Sequence, residues 1–283
     1  MQPKVELNQI RDLGQVVDDS ILFFKQNWKP LLKAYFTICG ILWAAETVIS
    51  IVNQVQTIQR IAYGDSIFTT TYFIAMLFGF LNYTLIGLTG FSYITLYREK
   101  AKEAPTVEEV WSYVKYYFFR IFGSFIALTL LILVATLCCL IPGVYLYPIF
   151  TLIPAIMVIE NTSLGYAFSR SFQLIKSKWW STFGVSIVMG IIILAGMFLL
   201  IIPAMMITGG LSLITVVNFA NAYTIVSNVT IHLLQFLYLL PVIATALVYF
   251  SLTEQKDDLS LLQRIEMLGQ HVPESDQSET EEY

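Results

Sequence analysis

A chain of 283 residues that is 57% hydrophobic and only 13% charged, with net charge −4 and mean hydropathy +0.69, departs from the soluble norm of about 45–50% apolar and about 25% charged. Its charges fall between long apolar runs, the arrangement that lipid imposes. A soluble globular domain is thereby excluded, and no nucleic-acid partner is expected.

In chain order, the first thirty residues are polar and amphipathic and hold no cleavable signal pattern, so the first long apolar run is expected to direct insertion. Six runs then approach the roughly 20 residues needed to cross a bilayer: Leu31–Val52, Tyr72–Tyr97, Ile121–Leu140, Val144–Ile159, Ser181–Met206 and His232–Leu252. Pro148 and Pro154 interrupt the fourth, Pro203 the fifth and Pro241 the sixth. Lipid tolerates such breaks only where neighbouring groups satisfy the freed carbonyls. The expected fold is therefore all-α: a polytopic bundle of about six spans, with amphipathic helices on its cytoplasmic side. Three parts follow: 1–30, a cytoplasmic segment with an amphipathic helix; 31–252, the membrane domain; and 253–283, a cytoplasmic tail.

Fifteen of the sixteen Lys and Arg residues lie in the N-terminal segment, the second and fourth connections and the tail. Arg60 stands alone on the other side. This bias places both termini in the cytoplasm of a plasma-membrane protein. Leu211–Ile231 is long enough to span but carries Thr215, Asn218, Asn221, Thr224 and Asn228 at helical spacing. It is read as a helix lying on the outer surface.

The cytoplasmic segments repeat. Leu13, Val16, Val17, Ile21, Phe24 and Trp28 form an apolar stripe, and so do Leu164, Ala167, Phe168, Phe172, Ile175 and Trp179. A shift of 151 pairs Gly14 with Gly165, Ser20 with Ser171 and Trp28 with Trp179. A third copy opens at the capping-box pattern Thr106-Val107-Glu108-Glu109. A shift of 95 sets Val16 on Trp111, Phe24 on Phe119 and Lys25 on Arg120. The unit reads as an interfacial helix followed by a two-helix hairpin, three times in parallel. Trp28, Trp111, Trp179 and Trp180 suit an aromatic belt, and the basic residues beside them suit anionic lipid.

The stretch Ile141-Pro142-Gly143-Val144-Tyr145, Ile153-Pro154-Ala155, Glu160, Leu164-Gly165, Ala167, Arg170-Ser171, Leu174, Trp179-Trp180 and Phe183-Gly184 resembles a broad prokaryotic family of integral membrane proteins. That family is related to the membrane domain of glycerophosphoryl diester phosphodiesterase. The resemblance runs from about Pro105 to Gly184, with Tyr249-Phe250 and Leu259–Leu268 similar to the family's C-terminal end. In that family the phosphodiesterase chemistry belongs to a separate soluble barrel that this chain has no room for. The resemblance therefore implies a membrane module without that activity, in a family whose members mostly lack an assigned molecular function.

Candidate residues with chemistry are few. Glu160 ends the fourth span, where the helix dipole disfavours a carboxylate, and Arg170 is the expected partner, locking the interfacial helix to the span. Glu46 lies about 22 Å along the first span, and an ionisable residue there invites a functional reading; Asn82 and Tyr83 are its candidate partners. Pro142 and Gly143 read as the minimal turn between the third and fourth spans. The cysteines Cys39, Cys138 and Cys139 read as small hydrophobes. His232 and His271 are too far apart in sequence to suggest a metal site. In the tail, Asp258 is expected to cap a short helix over Leu259–Leu268 with Gly269 as its stop. Glu274, Asp276, Glu279, Glu281 and Glu282 follow as an acidic, disordered end. No catalytic, cofactor or metal site is expected. The leading expectation is a non-catalytic scaffold or accessory subunit working through membrane lipids, protein partners or self-association. A transporter or lipid-handling permease is the alternative.

Overall fold

The computed structural model of the protein describes residues 3–214 and 219–269, without the side chains of 211–221 and 257–269. Thr215 and Asn218 of the polar stripe, His271 and the acidic end lie outside the described residues. Among the described residues eight α-helices follow one another: α1 (Leu13–Tyr63), α2 (Thr70–Glu99), α3 (Val107–Cys138), α4 (Leu140–Ile159), α5 (Leu164–Ile175), α6 (Trp179–Ile214), α7 (Phe219–Leu233) and α8 (Leu239–Gly269). A single 3₁₀ turn, Leu234–Tyr238, joins the last two. No strand occurs among the described residues. Six stretches are long and apolar enough to cross a membrane: α1, α2, α3, α4, the bulk of α6, and Ala222–Lys256, which joins α7 to α8. The fold is an all-α membrane bundle.

Local chemistry sets the helix starts. Asp12 accepts a hydrogen bond from the Gln15 amide while the Gln15 side chain returns to the Asp12 amide. Thr106 and Glu109 close the reciprocal box that their spacing predicts. Thr69 caps α2, and Gly64, at φ 72°, ends α1 in the left-handed conformation that glycine adopts without cost.

Two expected boundaries disappear. The amphipathic segment of 1–30 is the opening of α1, which continues through Pro30 for 51 residues. At the other end α8 runs unbroken across 252 and past Asp258 to Gly269, so no separate tail helix begins at Leu259. Among the described residues only α5 stands apart as an amphipathic helix, set off from α6 by the turn at 176–178.

The spans form two layers. Within their most apolar windows, 17% of residues are buried in α1, α3 and α6, against 39%, 61% and 56% in α2, α4 and the α7–α8 span. The more buried helices α2, α4 and α8 all pack on one another. Outside them stand α1 beside α2 and α8, α3 beside α2 and α4, and α6 beside α4 and α8. Each hairpin therefore supplies one outer helix and then one inner helix, and each outer helix is preceded by amphipathic sequence. This is the three-unit parallel plan expected from the repeat.

Burial also tests the repeat's register. The shift of 151 holds: Ser20 and Ser171 are both fully buried, as are their neighbours Val16 and Ala167, Phe23 and Leu174. Each serine hydroxyl bonds back to its own helix, to Val16 O at 2.6 Å and to Phe168 O at 2.8 Å. The shift of 95 is one residue out, because it sets buried Val16 on Trp111, 42% exposed, and half-buried Phe24 on Phe119, 82% exposed. A shift of 94 places Val16, Ser20, Phe23 and Asn27 on Val110, Val114, Tyr117 and Ile121, all buried. Aromatic identity misled the alignment, since Trp111 and Phe119 lie on the outward face.

The α3–α4 joint corrects another expectation. The chain leaves helical geometry at Cys139 (φ −166°, ψ 140°), and Pro142 and Gly143 already lie in the first turn of α4. Proline is tolerated there because its missing N–H has no intrahelical acceptor. Gly143 serves close approach: a Cβ on it would stand 2.3 Å from Thr136 Oγ1 and 3.3 Å from Thr136 Cα. Gly90 plays the same part between α2 and α8, where a Cβ would stand 2.5 Å from Val242 Cγ1.

The segment before the sixth span also differs from expectation. Trp43 Nε1 donates to the His232 carbonyl at 2.7 Å, and Asn228 bonds Ser50 at 2.9 Å and Gln54 at 2.6 Å. As α1 numbers rise, α7 numbers fall. α7 thus runs antiparallel along α1 and feeds into α8, rather than lying crosswise on a surface. Asn228 of its polar stripe thus meets polar side chains of α1, partners that lipid would not supply.

Candidate functional site

A cavity of about 510 Å³ opens between five helices, among them the three inner ones. Phe80, Tyr83 and Gly87 of α2, Phe125 and Thr129 of α3, Tyr147 and Pro154 of α4, Ser186 and Met189 of α6, and Pro241 and Thr245 of α8 form its walls, with Tyr238 beside them. The lining is mainly aromatic and aliphatic, with a few hydroxyls. Pro154 and Pro241 deny the inner helices one amide each where they border it. The Leu237 carbonyl that Pro241 cannot bond accepts from the Leu239 amide instead.

Against one wall of this cavity lies a polar cluster. Asn82 Nδ2 donates to Glu46 Oε2 and, at 2.9 Å, to Gln235 Oε1. Gln235 Nε2 reaches Glu46 Oε2 at 3.3 Å. His232 Nε2 stands 3.8 Å from Glu46 Oε1, and its Nδ1 lies 2.8 Å from the Asn228 carbonyl. Helices α1, α2 and α7 and the 3₁₀ turn each contribute one side chain. Asn82 Oδ1 is buried and accepts nothing. The expected Glu46–Asn82 pairing is present; Tyr83 instead faces the cavity, its ring 6.1 Å from that of Tyr238. His232 and Gln235 were missed, although Asn228, His232 and Gln235 extend the stripe of polar residues at helical spacing that begins before them.

A second polar site lies where α4, α5 and α8 meet. Tyr249 donates to Glu160 Oε1 at 2.7 Å, and Arg170 Nε approaches the same oxygen at 3.6 Å. Arg170 Nε is buried without a hydrogen bond. The expected Glu160–Arg170 neighbours do meet, but the phenol is the hydrogen-bond donor, and Tyr249 lies 89 residues away in sequence. Ser171 is buried beside them, bonded within α5. Trp179 donates to the Tyr145 carbonyl at 2.9 Å and stacks on its ring at 5.7 Å, tying the start of α6 to α4; Trp180 is exposed. Cys39 is buried beside Thr89, whereas Cys138 and Cys139 are exposed at the α3–α4 joint. No group of three or more His, Cys, Asp or Glu side chains converges among the described residues.

Fold and polar sites together define a polytopic helical membrane protein with an apolar chamber flanked by a buried carboxylate. No family model, curated protein or solved structure matches the chain.

Proposed function

We propose that this chain is a non-catalytic protein of the plasma membrane, with both termini in the cytoplasm, that binds a lipid or other amphiphile in the chamber between its spans. The supporting observation is the chamber itself. Its volume of about 510 Å³ falls in the range of small-molecule sites, about 300–1,000 Å³. Aromatic and aliphatic walls suit an acyl chain, and scattered hydroxyls suit its polar end. The lysine and arginine bias supports the orientation. The sequence pattern from Pro105 to Gly184 supports kinship with the membrane modules related to glycerophosphoryl diester phosphodiesterase.

The chamber favours lipid handling over a scaffold that works only through its surfaces. The test is native mass spectrometry of protein released from lipid discs. The wild type should retain about one amphiphile per chain, and Ser186→Phe, which fills the chamber from α6, should lose it while melting at or above the wild-type temperature. Equal lipid retention by the filled variant would sink the proposal.

A further inference from the structure

The chamber wall at Gly79 has no side chain, and directly behind it is Glu46. Gly79 borders the chamber, and a Cβ placed on it would point at Glu46, standing 3.6 Å from Oε1. The Glu46 side chain is 12% exposed. Its Oε2 takes donors from Asn82 and Gln235, whereas Oε1, the oxygen towards Gly79, has no hydrogen bond among the described residues. The one described basic group within ion-pair distance is His232, whose Nε2 at 3.8 Å is beyond hydrogen-bond reach. Asn82 Oδ1 adds a second buried acceptor without a donor. The same wall carries Phe80, Tyr83 and Tyr238, whose ring faces attract cations.

A largely buried carboxylate without a close cation is costly, because the low-dielectric surroundings replace its hydration poorly. Acceptors without donors, beside aromatic faces and an apolar chamber, are the complement of a positively charged nitrogen on a hydrocarbon body. We propose that the occupant is an amphiphilic amine, its alkyl or aryl part in the chamber and its ammonium group at Gly79 against Glu46 Oε1. This rests on the reading of the chamber as an amphiphile site and narrows its ligand class. Glu46 is then a binding residue and Gly79 the opening through which it acts. Bulk at position 79 would close that opening without touching the chamber's other walls.

The experiment uses the full chain in phosphatidylcholine discs, with binding of dodecylamine and of dodecanol measured against empty discs. The two probes share a chain and differ in charge. Dodecylamine should bind the wild type about tenfold or more tightly than dodecanol, a ratio within reach of one charged hydrogen bond. In Glu46→Gln, which keeps an acceptor for Asn82 and Gln235 but removes the charge, that preference should collapse to within about twofold. Gly79→Val should lose the preference in the same way. Equal binding of the two probes by the wild type, or a preference that survives Glu46→Gln, overturns the amine assignment and leaves the amphiphile site standing. Binding of neither probe overturns both.

Discussion

At the scale of single residues, two positions carry energies that can be measured. Gly143 is glycine because of Thr136. Gly143→Ala should destabilise the protein by about 1–3 kcal/mol through overpacking, read as a lowered midpoint in thermal unfolding. Thr136→Ala in the same chain should restore part of the loss, since the hydroxyl at 2.3 Å goes but Thr136 Cβ at 3.2 Å stays. Full recovery would mean that only the hydroxyl matters. At Glu160 the distances divide the roles of its two partners. Tyr249→Phe should cost about 1 kcal/mol, the net worth of one hydrogen bond. Glu160→Ala should cost more, about 1–3 kcal/mol for donors left without an acceptor, because it strands both Tyr249 and the already unsatisfied Arg170. A Glu160→Arg, Arg170→Glu exchange should recover little, because the Tyr249 hydroxyl would then face a guanidinium. An exchange that restores the wild-type midpoint would return the site to a simple ion pair. Glu160 and Arg170 stand out in the sequence as charges at a span boundary; Tyr249 does not, since nothing local distinguishes a tyrosine in an apolar run from a packing residue.

At the scale of elements, what was legible depended on periodicity and on where it stopped. Apolar length located all six spans, and the Thr106–Glu109 spacing located the start of α3. The continuity of α1 was hidden because an amphipathic stretch and an apolar stretch look like different elements when one helix passes from interface to core. The buried faces show the same limit. In α1 the inward stripe is Val16, Ser20, Phe23 and Asn27, and its two polar members find partners in Val16 O and, for Asn27, in Phe23 O and the Tyr93 hydroxyl. Hydrophobicity alone turns that helix toward Trp28, which is half exposed. α7 was misplaced for a related reason: its polar stripe looks like a water-facing surface, yet Asn228 within it meets Ser50 and Gln54. This placement predicts a cross-link. In a background of Cys39→Ala, Cys138→Ser and Cys139→Ser, the pair Ser50→Cys and Asn228→Cys should oxidise to a disulfide, detected as a linked peptide by mass spectrometry. The control pair Ile41→Cys and Asn228→Cys should not, since Ile41 points away from the bundle with 87% exposure. Absence of the 50–228 link would return α7 to the membrane surface.

At the scale of the molecule, three hairpins share one plan, and the plan determines which residues can form a chamber. Each unit enters through amphipathic sequence, crosses as an outer helix and returns as an inner one, so α2, α4 and α8 run in the same direction around a common centre. Pro154 of α4 and Pro241 of α8 border the chamber that these inner helices enclose together with α3 and α6. The polar cluster stands on the α1 side of that centre and the Glu160 corner nearer the ends that carry the basic residues. The orientation therefore decides which side of the membrane a ligand at Glu46 would approach from. The α1–α2 connection, with Ser66 exposed beside Asp65, and the α2–α3 connection, with Glu103 exposed beside Lys102, lie at opposite ends of the bundle. In the same cysteine-substituted background, Ser66→Cys should react with a membrane-impermeant maleimide in intact cells, and Glu103→Cys should react only after permeabilisation. Fifteen of the sixteen basic residues fall in the segments that the proposed orientation puts in the cytoplasm, so this outcome would also put the Glu46 cluster, which is further along α1 than the basic start of the helix, in the outer half of the span. The reverse labelling pattern would invert the protein and place the proposed amine site within reach of cytoplasmic ligands.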